Sequence, residues 1–269
     1  MVRSATERAF IPTRHLLEEF GDMMILTGRT VWSALRPPYP YGGELVSQFL
    51  FALRLVWFPL LISTVAINYG APGLQAGDFL TLFGALDRLG GFFVLAAIRE
   101  IGPLITSIVV AGVAGTAITA DLGARKVREE LDALQVLGVD PVKNLVVPRF
   151  LALMVVTGLF DIYALLFGIF GGILAALAFG QSLGPFWGTL FANASTVDLW
   201  GSVLKTTVFG AIIAIVCCYK GMTASGGAEG VGRAVNQAVV IAFLGIFAFN
   251  YAFTQTLLAT HPEITTIPR

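Results

Sequence analysis

The sequence contains few charged residues. Only 13% of its 269 residues are Asp, Glu, Lys or Arg, compared with about 25% in soluble globular domains. The two signs of charge cancel to a formal net charge of zero. Without a net basic field, the sequence predicts no nucleic-acid partner. This composition argues against a soluble enzyme and against a nucleic-acid-binding module.

Residues that usually build catalytic and metal sites are also scarce. The only cysteines, Cys217 and Cys218, are adjacent within an apolar run, which excludes a disulfide framework. The only histidines, His15 and His261, lie outside the apolar runs, and no cluster has metal-ligand spacing. The sequence has no Gly-Lys dipeptide, so it lacks an ATPase phosphate loop. We expect no enzymatic activity, metal or cofactor on this chain, and we interpret glycine-rich residues 221–232 as a flexible turn.

Long apolar runs are the abundant feature. Hydrophobic residues make up 56% of the chain, and several runs exceed the roughly 20 residues that cross a bilayer as a helix. Residues 10–35 alternate apolar and charged side chains as an interfacial amphipathic helix does; an exposed helix packed on a neighbour is the alternative. The predicted fold is an all-α membrane protein with this helix and five transmembrane helices. The predicted spans are 45–67, 91–120, 145–179, 199–219 and 234–258.

The basic residues predict the orientation. Outside the predicted spans, nearly all Lys and Arg fall on the side of the N-terminus, and only Arg88 and Arg269 fall on the other. By the positive-inside rule, the N-terminus is cytoplasmic and the C-terminus lies outside the plasma (inner) membrane. The predicted division is an interfacial segment at 1–43, a five-helix domain at 44–260 and a short outer tail at 261–269.

The cytoplasmic segment 124–137, between the second and third spans, is predicted to be a short amphipathic helix. Its apolar residues recur at helical spacing: Val127, Leu131, Leu134 and Leu137. Gly138 fits the end of a helix, and Pro141 follows it. The apolar stripe is available to a partner on the cytoplasmic side, or it packs on its own bundle or on lipid headgroups.

Several short motifs resemble the MlaE/YrbE permease family. They are REIGPL at 99–104, EELDAL at 129–134, VDP at 139–141 and PRF at 148–150. The resemblance extends over most of the chain. The preference for Arg over Lys is most similar to the YrbE branch encoded with MCE proteins in actinobacteria.

The resemblance implies a permease subunit of an ABC transporter that moves lipid: a phospholipid, a fatty or mycolic acid, or a sterol. Its implied partners are a second permease chain, identical or paralogous, a cytoplasmic ATPase dimer that binds ATP and Mg²⁺, and MCE-domain proteins on the outer side. Segment 124–137 would be the coupling helix that contacts the ATPase. Its expected contact residues are Val127, Glu130, Leu131, Leu134 and Leu137. The alternative is a non-transporting anchor or a passive channel component, although the charge rings of a channel are missing.

Ionisable residues inside spans suggest a pathway or a paired network. Glu100, Lys205 and Asn250 lie at similar depths, ~9–14 Å from the outer ends of their spans at 1.5 Å per residue. We expect them to line an outward-opening cavity in which Lys205 meets a lipid headgroup or fatty carboxylate. The alternative is a buried Glu100–Lys205 ion pair that joins two spans.

Two further predictions concern contacts between spans. Arg54 and Asp161 lie near the middle of the first and third spans, so we expect them to form an ion pair. The small-residue motifs at 168–172 (Gly-x-x-x-Gly) and 112–116 (Gly-x-x-x-Thr) are typical of close helix approach.

Overall fold

The computed structural model describes residues 5–262, with side chains from residue 17 onward. The predicted outer tail therefore lies outside the described residues from position 263. Within the described range the chain is almost wholly helical, and five helical segments are long and apolar enough to cross a membrane. Spans 1 to 5 are Gly42–Leu82, Leu86–Val127, Val142–Ala178, Thr196–Met222 and Gly227–Thr260. The predicted all-α membrane protein with five spans is confirmed.

Wide π-helical turns divide the first two spans into shorter α-helices, and one such turn begins the third span. The α-helices are α1 (Ala5–Leu35), α2 (Gly42–Asn68), α3 (Ala76–Leu82), α4 (Leu89–Phe93), α5 (Gly102–Val110), α6 (Thr116–Val127), α7 (Glu130–Val136), α8 (Val147–Ala178), α9 (Leu183–Asn193), α10 (Thr196–Met222) and α11 (Gly227–Thr260). The π-helical turns are Tyr69–Gln75, Val94–Ile101, Ala111–Gly115 and Val142–Val146, and Leu86–Arg88 forms a 3-10 turn. Spans 1 to 3 therefore contain register changes that a uniform α-helix would not have.

Span 4 is the central helix of the bundle. It packs on spans 2, 3 and 5, and span 1 packs on span 3. Its side chains Phe209, Ile213 and Cys217 are fully buried in the main core. Spans 1 and 5 are peripheral and expose apolar side chains, as helices that face lipid do. We call the two ends of the bundle the α7 end and the α9 end, after the short helices that lie there.

Three spans meet at a buried arginine at the α7 end. Arg149, at the start of α8, is 1% exposed and donates to Asp121 of span 2 at 2.7 Å. Its guanidinium is 3.7 Å from Glu44 of span 1. Separating these spans would leave the buried guanidinium without its carboxylate partners, which is energetically costly. The two contacts of Arg149 therefore hold spans 1, 2 and 3 together.

The two small-residue motifs have different outcomes. A Cβ on Gly168 would lie 3.1 Å from Nδ2 of Asn68, so the first motif does bring span 3 close to span 1. A Cβ on Gly112 would meet nothing within 4 Å, because Gly112 is exposed. The prediction of close approach at 112–116 is therefore wrong for its glycine. Gly115 instead faces Cys217 on span 4, with 2.9 Å from its hypothetical Cβ to the sulfur.

Helix extends further than the sequence indicates. The predicted flexible turn at 221–232 is reduced to 223–226, because α11 begins at Gly227. Helix α9 was not predicted; it buries Phe186 and Leu190 against the cluster that includes Leu89. Helix α1 is confirmed as a helix: Met23, Leu26 and Thr30 are buried, whereas Leu17, Phe20 and Met24 are exposed.

Candidate functional site

Polar side chains from spans 2, 4 and 5 meet in the half of the bundle nearer the α9 end. Glu100 on the π-helical turn of span 2 accepts hydrogen bonds from Asn250 at 2.7 Å and Thr254 at 2.8 Å, both on span 5. Nζ of Lys205 on span 4 is 3.6 Å from Oε1 of Glu100. The structure therefore brings together the three residues predicted to share one layer, and their side chains interact directly.

Lys205 also bonds the backbone of span 2. Its ammonium donates to the carbonyl oxygen of Arg99 at 2.6 Å. In an α-helix, the N–H four residues later would donate to that carbonyl, but that residue is Pro103, which has no N–H. Pro103 therefore leaves this carbonyl without its α-helical donor at the point where the π-helical turn passes into α5, and Lys205 donates to it.

Arg99 joins the same spans closer to the α9 end. Its Nε lies 2.6 Å from Oδ1 of Asp198, whose side chain is fully buried. Asp198 and Ser195 also form a reciprocal capping box at the start of α10. Each side chain accepts a hydrogen bond from the backbone N–H of the other residue, a group that has no α-helical partner at the start of a helix. Consecutive residues on a helix point about 100° apart, so Arg99 contacts Asp198 while Glu100 contacts span 5.

The predicted ion pair between Arg54 and Asp161 is wrong. Asp161 is fully buried, and its Oδ2 accepts a 2.6 Å hydrogen bond from Ser202 of span 4. Arg54 is exposed. The buried positions of α2 recur every four residues, including Ala52 and Val56, and Arg54 falls about 200° around the helix from Ala52. The two residues share a depth, but they do not share a face.

The polar cluster is closed in this conformation. A cavity of about 20 Å³ lies among its side chains, lined by Arg99, Glu100, Asp198, Ser202, Lys205 and Thr254 together with apolar residues of span 5. That volume holds about one water molecule. Asn250 does not line this cavity, and its Oδ1 is buried without a hydrogen-bond partner in the described part of the chain. A lipid headgroup would require spans 4 and 5 to move apart from span 2.

At the opposite end, the predicted continuous helix over 124–137 is interrupted. Span 2 continues to Val127, and α7 begins after Glu129, whose φ of +61° is in the left-handed region. A non-glycine residue adopts this conformation at a cost, and the break turns α7 away from the direction of span 2. A helix between the second and third spans is confirmed, but it is shorter than predicted.

The break divides the predicted apolar stripe. Leu131 is buried in the main core and Leu134 packs against that core, whereas Val127 and Leu137 are exposed. Val136, which lies off the predicted stripe, is 89% exposed, and Leu137 is 76% exposed. The exposed apolar surface of α7 is therefore at its C-terminal end.

Local contacts fix the position of α7. Lys126 bonds Asp132 across the break at 2.9 Å. Glu130, at the first position of α7, accepts from Arg128 at 2.7 Å, and this contact raises the pKa of Arg128. Gly138 adopts φ +76° and closes the helix with a Schellman motif, as its glycine predicts.

A groove of about 670 Å³ separates α7 from α1 and the end of α10. Asp22 and Arg29 of α1 line one side, and Leu131, Asp132 and Gln135 of α7 line the other. Lys220 at the end of span 4 pairs with Glu19 of α1 and donates to Gln237 of span 5 at 3.0 Å. Helix α1 is thus attached to the central helix beside the α7 surface.

Sequence reasoning missed two members of the polar network. Thr254 lies one turn after Asn250, so helical spacing alone places both on one face. Asp198 follows Ser195 in a Ser-x-x-Asp spacing that is typical of a helix start. Both signals are visible in the sequence, but neither shows that Arg99 and Glu100 would be their partners.

Comparison with known proteins gives consistent matches. The family model described as Permease MlaE matches residues 47–256. A probable ABC transporter permease protein of Rickettsia bellii is 31% identical, over 90% of this chain and 93% of its own length. One from Synechocystis is 38% identical over 66% and 68% of the two chains. The intermembrane phospholipid transport system permease protein MlaE of Haemophilus influenzae is 30% identical over 69% and 72%.

Proposed function

We propose that this chain, which belongs to the MlaE permease family, is the permease subunit of an MCE-type ABC transporter. The chain is a multi-pass membrane protein and a lipid-transport permease. The proposal adds that a separate ATPase dimer drives it, that MCE-domain proteins receive or deliver the lipid outside, and that a second permease chain completes the path. The lipid is a phospholipid, a fatty or mycolic acid, or a sterol.

The exposed C-terminal end of α7 is the single observation that carries this proposal. Val136 and Leu137 are two apolar side chains exposed outside the spans, and Val136 lies one helical turn after Asp132, whose carboxylate pairs with Lys126. Exposed apolar groups rimmed by polar ones are typical of a protein-binding site. We place the ATPase here and the α7 end in the cytoplasm, because the basic residues outside the spans collect on this side.

The polar cluster is the proposed substrate path. Glu100, Lys205 and Asn250 lie between spans 2, 4 and 5, so separating these helices would expose both a carboxylate and an ammonium. Lys205 would then lose Glu100 as its neighbour and be available to an anionic headgroup. In the closed conformation the same residues form the ion pair that was the alternative expectation, so the two interpretations describe two states of one site.

A charge placed on α7 tests the ATPase contact. In the reconstituted complex, we expect Leu137→Asp to reduce both ATP hydrolysis and lipid transfer at least tenfold, because an aspartate would have to be desolvated in the interface. Ser225→Asp adds the same charge at an exposed residue of the 223–226 turn at the same end and is expected to change neither rate. If Leu137→Asp leaves both rates unchanged, the coupling assignment is wrong.

A further inference from the structure

Arg54 is a cation on an exposed apolar face of span 1. Among the side chains described for residues 17–262, that of Arg54 makes no hydrogen bond or ion pair. Its neighbours on this face include Leu50, Phe51 and Leu55, which are all exposed. A groove of about 390 Å³ is lined by these residues together with Ser47.

Arg54 lies deep enough in the membrane that its charge calls for an anionic partner or for a side chain that reaches toward the interface. Arg54 follows Glu44 by ten residues, or ~15 Å of helix, which is half of the ~30 Å hydrocarbon thickness. A charge at this depth is costly unless it is paired or reaches toward the interface. Side chains on a helix lean toward its N-terminus. For Arg54 this is toward Ser47 and the α7 end, the part of α2 that lines the groove.

A second copy of this chain would not offer a free carboxylate at this depth. In the described spans, the deeply placed acids are Glu100 and Asp161. Glu100 already interacts with Asn250, Thr254 and Lys205, and Asp161 is fully buried against Ser202. The other anion present in a bilayer is a lipid headgroup, and a planar guanidinium binds phosphate with two parallel hydrogen bonds.

We propose that Arg54 and Ser47 bind the phosphate of a membrane glycerophospholipid from the leaflet at the α7 end. Its acyl chains lie along Phe51 and Leu55, and the headgroup is drawn below the membrane surface toward the guanidinium. This inference rests on the lipid-permease function and adds to it a binding position that is separate from the polar cluster at the α9 end.

Binding of defined lipids to the purified permease complex tests the proposal. The probes are dioleoylphosphatidylglycerol and dioleoylglycerol, which share acyl chains but differ in the phosphate, and the readout is native mass spectrometry without ATP. We expect Arg54→Gln to weaken phosphatidylglycerol binding about tenfold and to leave dioleoylglycerol binding unchanged. Arg88→Gln, the same change at an exposed arginine at the α9 end, is expected to affect neither lipid.

Three outcomes would overturn the assignment. The first is unchanged phosphatidylglycerol binding by Arg54→Gln. The second is displacement of the lipid by millimolar inorganic phosphate, which would indicate a site for the free ion. The third is a loss of phosphatidylglycerol binding that is accompanied by a change in oligomeric state, which would assign this face to a protein interface. Because binding is measured without ATP, a complex that binds lipid but never transfers it would contradict the proposed transport function and leave this site in place.

Discussion

The ammonium of Lys205 bonds the backbone carbonyl of Arg99, the residue four positions before Pro103. This contact links the central helix to a point where span 2 lacks one of its own helical donors. It also places Lys205 next to Glu100, the residue that follows Arg99. The position of Glu100 therefore depends on backbone structure as well as on its side-chain partners.

The first prediction concerns this backbone bond. Lys205→Met should destabilise the protein, and Pro103→Ala should restore part of the loss, because alanine supplies an N–H for the Arg99 carbonyl. The expected coupling between the two substitutions is about 1 kcal/mol. It is obtained from the unfolding free energies, in detergent, of the wild type, the two single variants and the double variant. Additive effects would mean that Lys205 does not substitute for the missing donor.

The second prediction concerns Asp198. Asp198→Ala removes the partner of Arg99 and one half of the capping box, so we expect a loss of about 3 kcal/mol in unfolding free energy. Glu130→Ala removes an exposed ion pair with Arg128 and should leave the unfolding temperature unchanged. Equal effects of the two substitutions would show that burial of the Arg99–Asp198 pair adds nothing to stability.

The third prediction compares two glycines. A Cβ on Gly171 would lie 2.8 Å from the carbonyl oxygen of Val65 and 3.0 Å from the backbone nitrogen of Tyr69. Backbone cannot move aside as a flexible side chain can, so Gly171→Ala should separate spans 1 and 3 and lower the unfolding temperature. Gly112→Ala meets open space and should be neutral or slightly stabilising, because alanine favours helix. The reverse order of stabilities would contradict the observed packing.

Hydrophobicity predicted the fold well because length and apolar content alone decide whether a helix can cross a bilayer. The five spans follow from that pattern, and the helix in segment 124–137 follows from the helical spacing of its apolar residues. Depth could also be counted along each helix, which is why Glu100, Lys205 and Asn250 were placed in one layer. These features depend only on position along the chain.

The face of a helix on which a residue lies could not be predicted from its position along the chain. Arg54 and Asp161 were paired by depth, but the buried face of α2 excludes Arg54. No glycine or proline marks the break before α7 in the sequence. The residue in the left-handed conformation there is Glu129, and Leu131, two residues later, is buried in the main core. The π-helical turns were not predicted either, although one of them positions both Arg99 and Glu100.

ATP-dependent lipid transfer by the reconstituted complex tests the central claim most directly. The complex in proteoliposomes is mixed with acceptor vesicles, and movement of a fluorescent phospholipid is followed with ATP and with a non-hydrolysable analogue. The account predicts transfer that requires both this chain and ATP hydrolysis by its partner. Equal transfer with the analogue would indicate a passive channel, and no transfer despite active hydrolysis would indicate an anchor; either result would contradict the account.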